Sequence, residues 1–144
     1  MKMFALCLVL LSLAVWTCAK REDTVGLTIR FASFTSELTP ADTFRAVLEV
    51  RNTTLNTVVL QFCEGPQERI RFYDGWGCLV LYYPQVFYQV ANELGLGPLG
   101  SESYDIKLCL KNFTAGTLLA GQYRVRGSLQ GYEEPYCDVL VRVR

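Results

Sequence analysis

The sequence of 144 residues contains no histidine. Without an imidazole the chain cannot build a Ser-His-Asp triad or a Cys-His pair, and most zinc hydrolase sites also need histidine ligands. An excess of charge is absent too, because 14 Lys and Arg residues balance 14 Asp and Glu residues. No general field attracts nucleic acid, and no basic run is interleaved with aromatic residues. We therefore expect no nucleic-acid partner.

Other catalytic chemistry also lacks its usual residue patterns. Glu133 and Glu134 are adjacent, so on a strand their side chains would point to opposite faces instead of forming an acid and base pair. The stretch Gly95-Leu96-Gly97 lacks the third glycine and the strand-to-helix frame of a phosphate loop. We predict a non-enzymatic protein with no catalytic residue, no cofactor and no metal.

Residues 1–19 have the three-part layout of a secretion signal. Lys2 precedes an apolar run from Phe4 to Trp16, and small residues follow. The run is shorter than the ~20 apolar residues that normally span a bilayer, which favours a cleaved signal over an uncleaved anchor. Residues 20–144 would then form the mature domain of a secreted, periplasmic or other cell-envelope protein.

Cys18 offers an alternative fate for this segment. Val15-Trp16-Thr17-Cys18 loosely resembles a bacterial lipobox, in which cleavage before the cysteine is coupled to its acylation. Thr17 and the bulky Trp16 fit that motif poorly. A membrane association is expected only if Cys18 carries this lipid.

Four cysteines remain after cleavage, and an even number in an exported chain predicts two disulfides. A zinc site is the competing interpretation, but no two of these cysteines lie two to four residues apart. In an up-and-down arrangement Cys63 and Cys78 would lie at opposite ends of one strand, about 16 Å apart. A disulfide needs Cα atoms within about 7 Å. We therefore expect Cys63 to pair with Cys109, and Cys78 with Cys137.

Alternation of apolar and polar residues dominates the mature chain, above all residues 44–83. Together with turn signals such as Asp74-Gly75, it predicts about eight short antiparallel strands. An all-β, immunoglobulin-like antiparallel β-sandwich in a single domain is the expected fold, and a closed barrel is the alternative. Only residues 84–100 have near-helical apolar spacing, which predicts at most one short helix.

Two groups of residues have more than one interpretation. The aromatic side chains of Tyr82, Tyr83, Phe87 and Tyr88 would either seal one end of the core or form a binding surface. The sequons Asn52-Thr53-Thr54 and Asn112-Phe113-Thr114 would either carry glycans or use their polar side chains to hold local turns.

Several motifs between residues 44 and 129 occur in an order and spacing that resemble the BsuPI-type intracellular proteinase inhibitors. They are Leu48-Glu49-Val50-Arg51-Asn52-Thr53-Thr54, Val58 to Phe62, Ile70-Arg71-Phe72-Tyr73-Asp74 with Gly77, Val86-Phe87 with Gln89, Leu96-Gly97-Pro98-Leu99-Gly100-Ser101-Glu102, and Leu119-Ala120-Gly121-Gln122-Tyr123-Arg124-Val125 with Gly127. The export signal and the four cysteines are not part of that family's pattern.

The resemblance implies an immunoglobulin-like sandwich that inhibits a serine proteinase or binds another protein. We therefore predict a secreted or envelope-associated, non-enzymatic β-sandwich with a protein partner, in which a rigid loop could occupy a protease cleft. Residues 64–67 and 112–117 are the candidate loops. The alternative function is a structural or adhesive envelope domain with no protease target.

Overall fold

The computed structural model describes Thr24, residues 26–112 and residues 118–144, without the side chain of Asn112. The predicted signal peptide, Cys18 and residues 113–117 lie outside these residues. In the described part the chain forms ten strands and one turn of 3₁₀ helix. These are β1 Leu27–Phe34, β2 Glu37–Leu38, β3 Thr43–Asn52, β4 Val58–Phe62, β5 Glu68–Tyr73, β6 Leu79–Tyr83, β7 Asn92–Leu96, β8 Ser101–Cys109, the 3₁₀ turn Leu110–Asn112, β9 Gly121–Leu129 and β10 Tyr136–Val143.

The strands assemble into three sheets. The largest has the order β2-β10-β9-β5-β6, a second has the order β1-β3-β8, and β4 pairs with β7. Every pairing is antiparallel except that of the two-residue strand β2 with β10. The fold is an immunoglobulin-like antiparallel β-sandwich, which confirms the predicted fold class, with more strands than the eight expected.

The alternation in the sequence places one face of each main strand in a common core. Phe44, Leu48 and Val50 of β3 are fully buried, as are Ile70 and Phe72 of β5. The rings of Phe44 and Phe72 meet edge to face across the two layers, with centroids 5.2 Å apart. Fully burying a side chain of this kind stabilises the fold by about 1.5–3 kcal/mol, so this alternation accounts for much of the cohesion between the sheets.

The two layers approach each other closely at Gly127 in β9. A Cβ atom at this position would lie 2.5 Å from Leu48 Cδ1 and 2.9 Å from Phe31 Cζ. Both distances are shorter than any ordinary carbon contact. The absence of a side chain is therefore a requirement of the packing between β9 and the opposite sheet.

The polar side chain of Asn52 is completely buried at the end of β3. Its Nδ2 contacts the carbonyl oxygens of Asn56, Leu96 and Gly97 at 2.6, 3.2 and 2.9 Å. Its Oδ1 accepts hydrogen bonds from the backbone N–H and the hydroxyl of Thr54 at 2.9 and 2.8 Å. Asn52 thus connects the turn after β3 to the loop after β7.

This geometry argues against Asn52 as a glycosylation site in the folded protein. A glycan would be attached to Nδ2, which is buried and already donates to neighbouring carbonyl groups. The alternative interpretation of the sequon, an Asn that holds a local turn, describes the structure. Residues 113 and 114 of the second sequon, like the side chain of Asn112, lie outside the described part of the chain.

Residues 84–100, where the sequence allowed at most one short helix, contain a strand and no helix. Residues 92–96 form β7, which pairs with β4 through Leu60 opposite Leu94 and Val58 opposite Leu96. Leu94 and Leu96 are buried on either side of exposed Gly95. This alternation of buried and exposed residues is the pattern of a strand. The near-helical spacing belongs to the preceding loop, where Val86 and Val90 are exposed.

Candidate functional site

Residues 64–67, a predicted inhibitory loop, are held flat against the domain. Glu64 accepts a hydrogen bond from Gln130, and the side chain of Gln67 accepts one from the Tyr104 hydroxyl, each at 2.7 Å. The backbone of Gly65 bonds in both directions to Tyr88. A loop bonded inward through its own side chains is poorly shaped to enter a protease cleft. The other predicted loop, residues 112–117, lies outside the described residues except for the backbone of Asn112.

The aromatic residues grouped in the sequence are divided by the structure. Tyr82, Phe87 and Tyr88 are exposed, whereas Tyr83 is half-buried and packs against the core. Burial raises the pKa of the Tyr83 hydroxyl, which donates to Glu68 at 3.3 Å. The group therefore partly seals the core and partly remains open to solvent.

Neither predicted disulfide is formed. Cys78, Cys109 and Cys137 are free thiols, so none of them is a partner of Cys63. Cys78 immediately precedes β6, and Cys137 lies at the start of β10. These two strands run in opposite directions in the same sheet, with β5 and β9 between them. Two intervening strands separate β6 from β10 by about 14 Å at the usual strand spacing. For Cys78 and Cys137, the error lies in the assumed direction of the closing strands.

The free thiols should differ sharply in reactivity. Cys137 is half-buried between Gly127 and Phe31, and burial raises the pKa of its thiol to about 11. At pH 8 only about one Cys137 in a thousand would then be a thiolate, whereas Cys78 is exposed. We expect iodoacetamide to alkylate Cys78 in the native protein and Cys137 only after unfolding, as measured by peptide mass spectrometry. Equal native labelling rates at the two cysteines would contradict this assignment.

The hairpin between β5 and β6 presents a fully solvated tryptophan. Trp76 is 93% exposed, although it is a large hydrophobic residue. The Asp74 carboxylate accepts hydrogen bonds from the backbone N–H groups of Trp76 and Cys78, both at 2.9 Å. Gly77 completes the turn with a φ of +81°. The indole is therefore displayed by an ordered turn instead of a loose loop.

Further apolar side chains surround this indole. Leu119, 77% exposed, and the exposed Val80 line the same surface depression as Trp76, together with Gly121 and Tyr123. We call Trp76, Val80 and Leu119 the Trp76 patch. Contiguous exposed apolar side chains of this size mark interaction surfaces more often than scattered single ones do.

A basic surface adjoins the Trp76 patch on the outer side of the five-stranded sheet. The outward positions of β5, β9 and β10 contain five arginines and one aspartate, which leaves a formal charge of +4. We call these positions, with the tyrosines among them, the arginine face: Arg69, Arg71, Tyr73, Arg124, Arg126, Tyr136, Asp138 and Arg142. A chain with no net charge thus carries a concentrated positive surface.

Tyrosine rings order the arginines at the centre of this face. The Arg124 guanidinium lies 4.8 Å from the centroid of Tyr73, and that of Arg126 lies 3.6 Å from the centroid of Tyr136. Such cation–π contacts contribute about 0.5–1 kcal/mol each at exposed sites. They restrict long side chains that would otherwise move freely, so the guanidinium groups are available in defined positions.

Arg126 also forms the one carboxylate contact that the described residues show within this face. Its Nε and Nη2 donate to the two oxygens of Asp138, both at 2.8 Å. Hydrogen bonds from Arg126 lower the pKa of the Asp138 carboxyl, and the charges of Arg126 and Arg124 act in the same direction. The pair shows how this surface binds a carboxylate group.

Neither surface was predicted from the sequence, although a signal for each was present. Arg69 and Arg71 flank buried Ile70, and Arg124 and Arg126 flank buried Val125, so basic residues at a period of two share the outer face. The balanced total charge concealed this arrangement. Trp76 follows a strong hairpin signal, and a large apolar residue at the tip of a tight turn has little opportunity to be buried.

Potential metal ligands are dispersed over the part of the chain that the structure describes. Among these residues, no group of three or more Cys, Asp or Glu side chains converges on a position that could hold a metal ion. The same part of the chain contains no helix long and apolar enough to cross a membrane.

No protein-family model matches the sequence, and no curated protein does. Solved structures do share the fold. A β-glucosidase from Listeria innocua superposes with a TM-score of 0.52 at 12% identity, over 81% of this chain and 16% of that one. The Pseudomonas fluorescens alkylpurine DNA glycosylase AlkC gives 0.52 at 10% identity, over 83% of this chain and 30% of that one. The CARDB domain of PF1109 from Pyrococcus furiosus gives 0.47 at 15% identity, over 81% and 91%.

This chain therefore spans only a small part of the two enzymes that it resembles in fold. At such low identity the similarity concerns the backbone arrangement and not the chemistry of either enzyme. The comparisons therefore show a shared fold and nothing about activity.

Proposed function

We propose that the protein is a secreted or envelope-associated, non-enzymatic β-sandwich that binds another protein through the Trp76 patch. The observation that supports this most strongly is the 93% exposure of Trp76 on a turn ordered by Asp74. An exposed tryptophan lowers stability and solubility. Burying its ring against a partner contributes strongly to binding, which is why tryptophan is enriched at interfaces. The adjoining arginines and tyrosines have the composition that is enriched at binding hot spots.

Removing the indole should weaken partner binding strongly. Partners would be captured on the immobilised full-length protein from the secreted and envelope fractions, identified by mass spectrometry, purified and titrated by calorimetry. Trp76→Ala should raise the Kd about 30-fold or more, because truncating a hot-spot residue costs about 2 kcal/mol or more. The indole makes no side-chain hydrogen bond in the described structure, so the fold should tolerate its removal.

Leu55→Ala is the matched control for this experiment. Leu55 is 77% exposed and lies just beyond Asn52, at one end of β3. The Trp76 hairpin lies near the other end of that strand, because it follows Phe72, whose ring contacts Phe44 there. Binding of the purified partner should be unchanged in this variant. A Trp76→Ala protein that binds as tightly as the wild type would refute the proposed role of the patch.

Inhibition of a serine proteinase is the narrower form of this proposal. The Trp76 hairpin now replaces residues 64–67 as the candidate inhibitory loop, because it projects from the sheet and its backbone is held by Asp74. Titrating the protein against a panel of trypsin-like, chymotrypsin-like, elastase-like and subtilisin-like enzymes should give stoichiometric inhibition of at least one. No inhibition across the panel would leave the broader binding role, or the adhesive alternative, in its place.

A further inference from the structure

We propose that the arginine face binds carboxylate groups of an acidic protein partner, as the charged half of the interface whose apolar half is the Trp76 patch. This inference rests on the proposed binding function and specifies the chemistry of the partner. A surface with five arginines and one aspartate is complementary to a surface or segment rich in Asp and Glu.

The molecule itself contains an example of the expected contact. Asp138 receives two parallel hydrogen bonds from Arg126, each of 2.8 Å, while the guanidinium stacks on Tyr136. This is the bidentate geometry in which a planar guanidinium matches a carboxylate. The same surface therefore binds a carboxylate within the fold, using a pair of side chains from β9 and β10.

Two neighbouring arginines offer the same chemistry without a carboxylate partner. Arg124 lies over Tyr73, and Arg71 lies opposite Arg126 across β5 and β9; neither forms an ion pair with another described residue. The arginines at the margins are more engaged, since Arg69 donates to Gln130 and Arg142 lies opposite Glu37 of β2. Arg71 and Arg124 are therefore the residues expected to meet the partner.

Their position joins the two surfaces. Tyr73, which carries Arg124 on its ring, is the last residue of β5 and immediately precedes the Asp74 turn that displays Trp76. A single partner could thus place an apolar side chain against the indole and carboxylates beside Arg71 and Arg124.

The inference is tested with fluorescein-labelled poly-L-glutamate as the probe, followed by fluorescence anisotropy on the full-length protein. Arg71→Ala with Arg124→Ala should weaken probe binding about tenfold or more, and binding to wild type should weaken as salt is raised. The matched control is Arg45→Ala with Arg51→Ala, which removes the same charge from exposed positions of β3 in the opposite sheet. That control should change the Kd by less than about twofold. The circular dichroism melting temperature of each variant verifies folding.

Lysine variants test whether bidentate geometry is needed, and competing polymers test whether the face prefers carboxylates. Arg71→Lys with Arg124→Lys retains the charge but not the bidentate geometry, and should recover only part of the affinity. Equal weakening in the two alanine pairs would overturn the inference, as would tighter binding of heparin or single-stranded DNA than of poly-L-glutamate.

Failure of this inference can be distinguished from failure of the proposed function. If the captured partner loses affinity on Trp76→Ala but not on Arg71→Ala with Arg124→Ala, the protein-binding function stands and the carboxylate-binding role of the arginine face is wrong. If neither variant changes the affinity for that partner, both are wrong.

Discussion

Replacing Asn52 with alanine is expected to lower the free energy of unfolding by about 3–5 kcal/mol. The substitution deletes a fully buried side chain that contacts the carbonyl oxygens of Asn56, Leu96 and Gly97 and accepts two hydrogen bonds from Thr54. Alanine removes every one of these hydrogen bonds, and of the three carbonyl oxygens that of Asn56 retains a bond from the Thr54 hydroxyl. A loss of this size is a large fraction of the stability of an ordinary domain.

Urea denaturation followed by far-ultraviolet circular dichroism measures this effect. Asn56→Ala is the control, because Asn56 contributes its backbone carbonyl to the Asn52 network and its side chain is exposed. That variant should remain within about 0.5 kcal/mol of the wild type. If Asn52→Ala lost less than about 1 kcal/mol, the network would not hold the turn after β3 to the loop after β7.

Gly127→Ala should lower the free energy of unfolding by about 1–3 kcal/mol, although it adds only one methyl group. That methyl would lie 2.5 Å from Leu48 Cδ1 and 2.9 Å from Phe31 Cζ. Leu48 is fully buried, so its side chain can move away only by disturbing the core. The two sheets would have to separate locally or both neighbours would have to leave their rotamers.

A second glycine in the same strand supplies the comparison. A Cβ at Gly121 would meet no atom within 4 Å, so Gly121→Ala should be neutral or slightly stabilising. Both variants reduce the flexibility of the unfolded chain, but only Gly127→Ala introduces a steric overlap. The difference between their melting temperatures in thermal unfolding therefore reports the overlap. Equal melting temperatures would show that the close approach of the sheets is easily relieved.

The sequence predicts the fold where burial alternates along a strand. Phe44, Leu48 and Val50 are apolar because they face the core, so their period of two is enough to identify β3. The same reasoning failed for β7, where Gly95 separates two buried leucines and a helical pattern in the neighbouring loop is more conspicuous. Five residues are too few for a period to be distinguished with certainty.

Features that depend on relations between strands could not be predicted in this way. The pairing of Cys78 with Cys137 required the relative direction of β6 and β10, which local periodicity does not determine. The arginine face has the same origin. Arg71 and Arg126 are far apart in the chain and become neighbours only through the register of β5 with β9. Total charge cannot reveal such a surface, because it sums over all faces.

The segregation of charge has a kinetic consequence for a protein whose net charge is zero. The excess of arginine on one outer face must be compensated elsewhere on the chain, so the molecule has an electric dipole. A dipole produces torque without overall attraction or repulsion. An approaching acidic molecule would therefore turn the domain until β5 and β9 face it, which raises the fraction of productive collisions. Because salt screens this orienting field, ionic strength should change the association rate more than the dissociation rate.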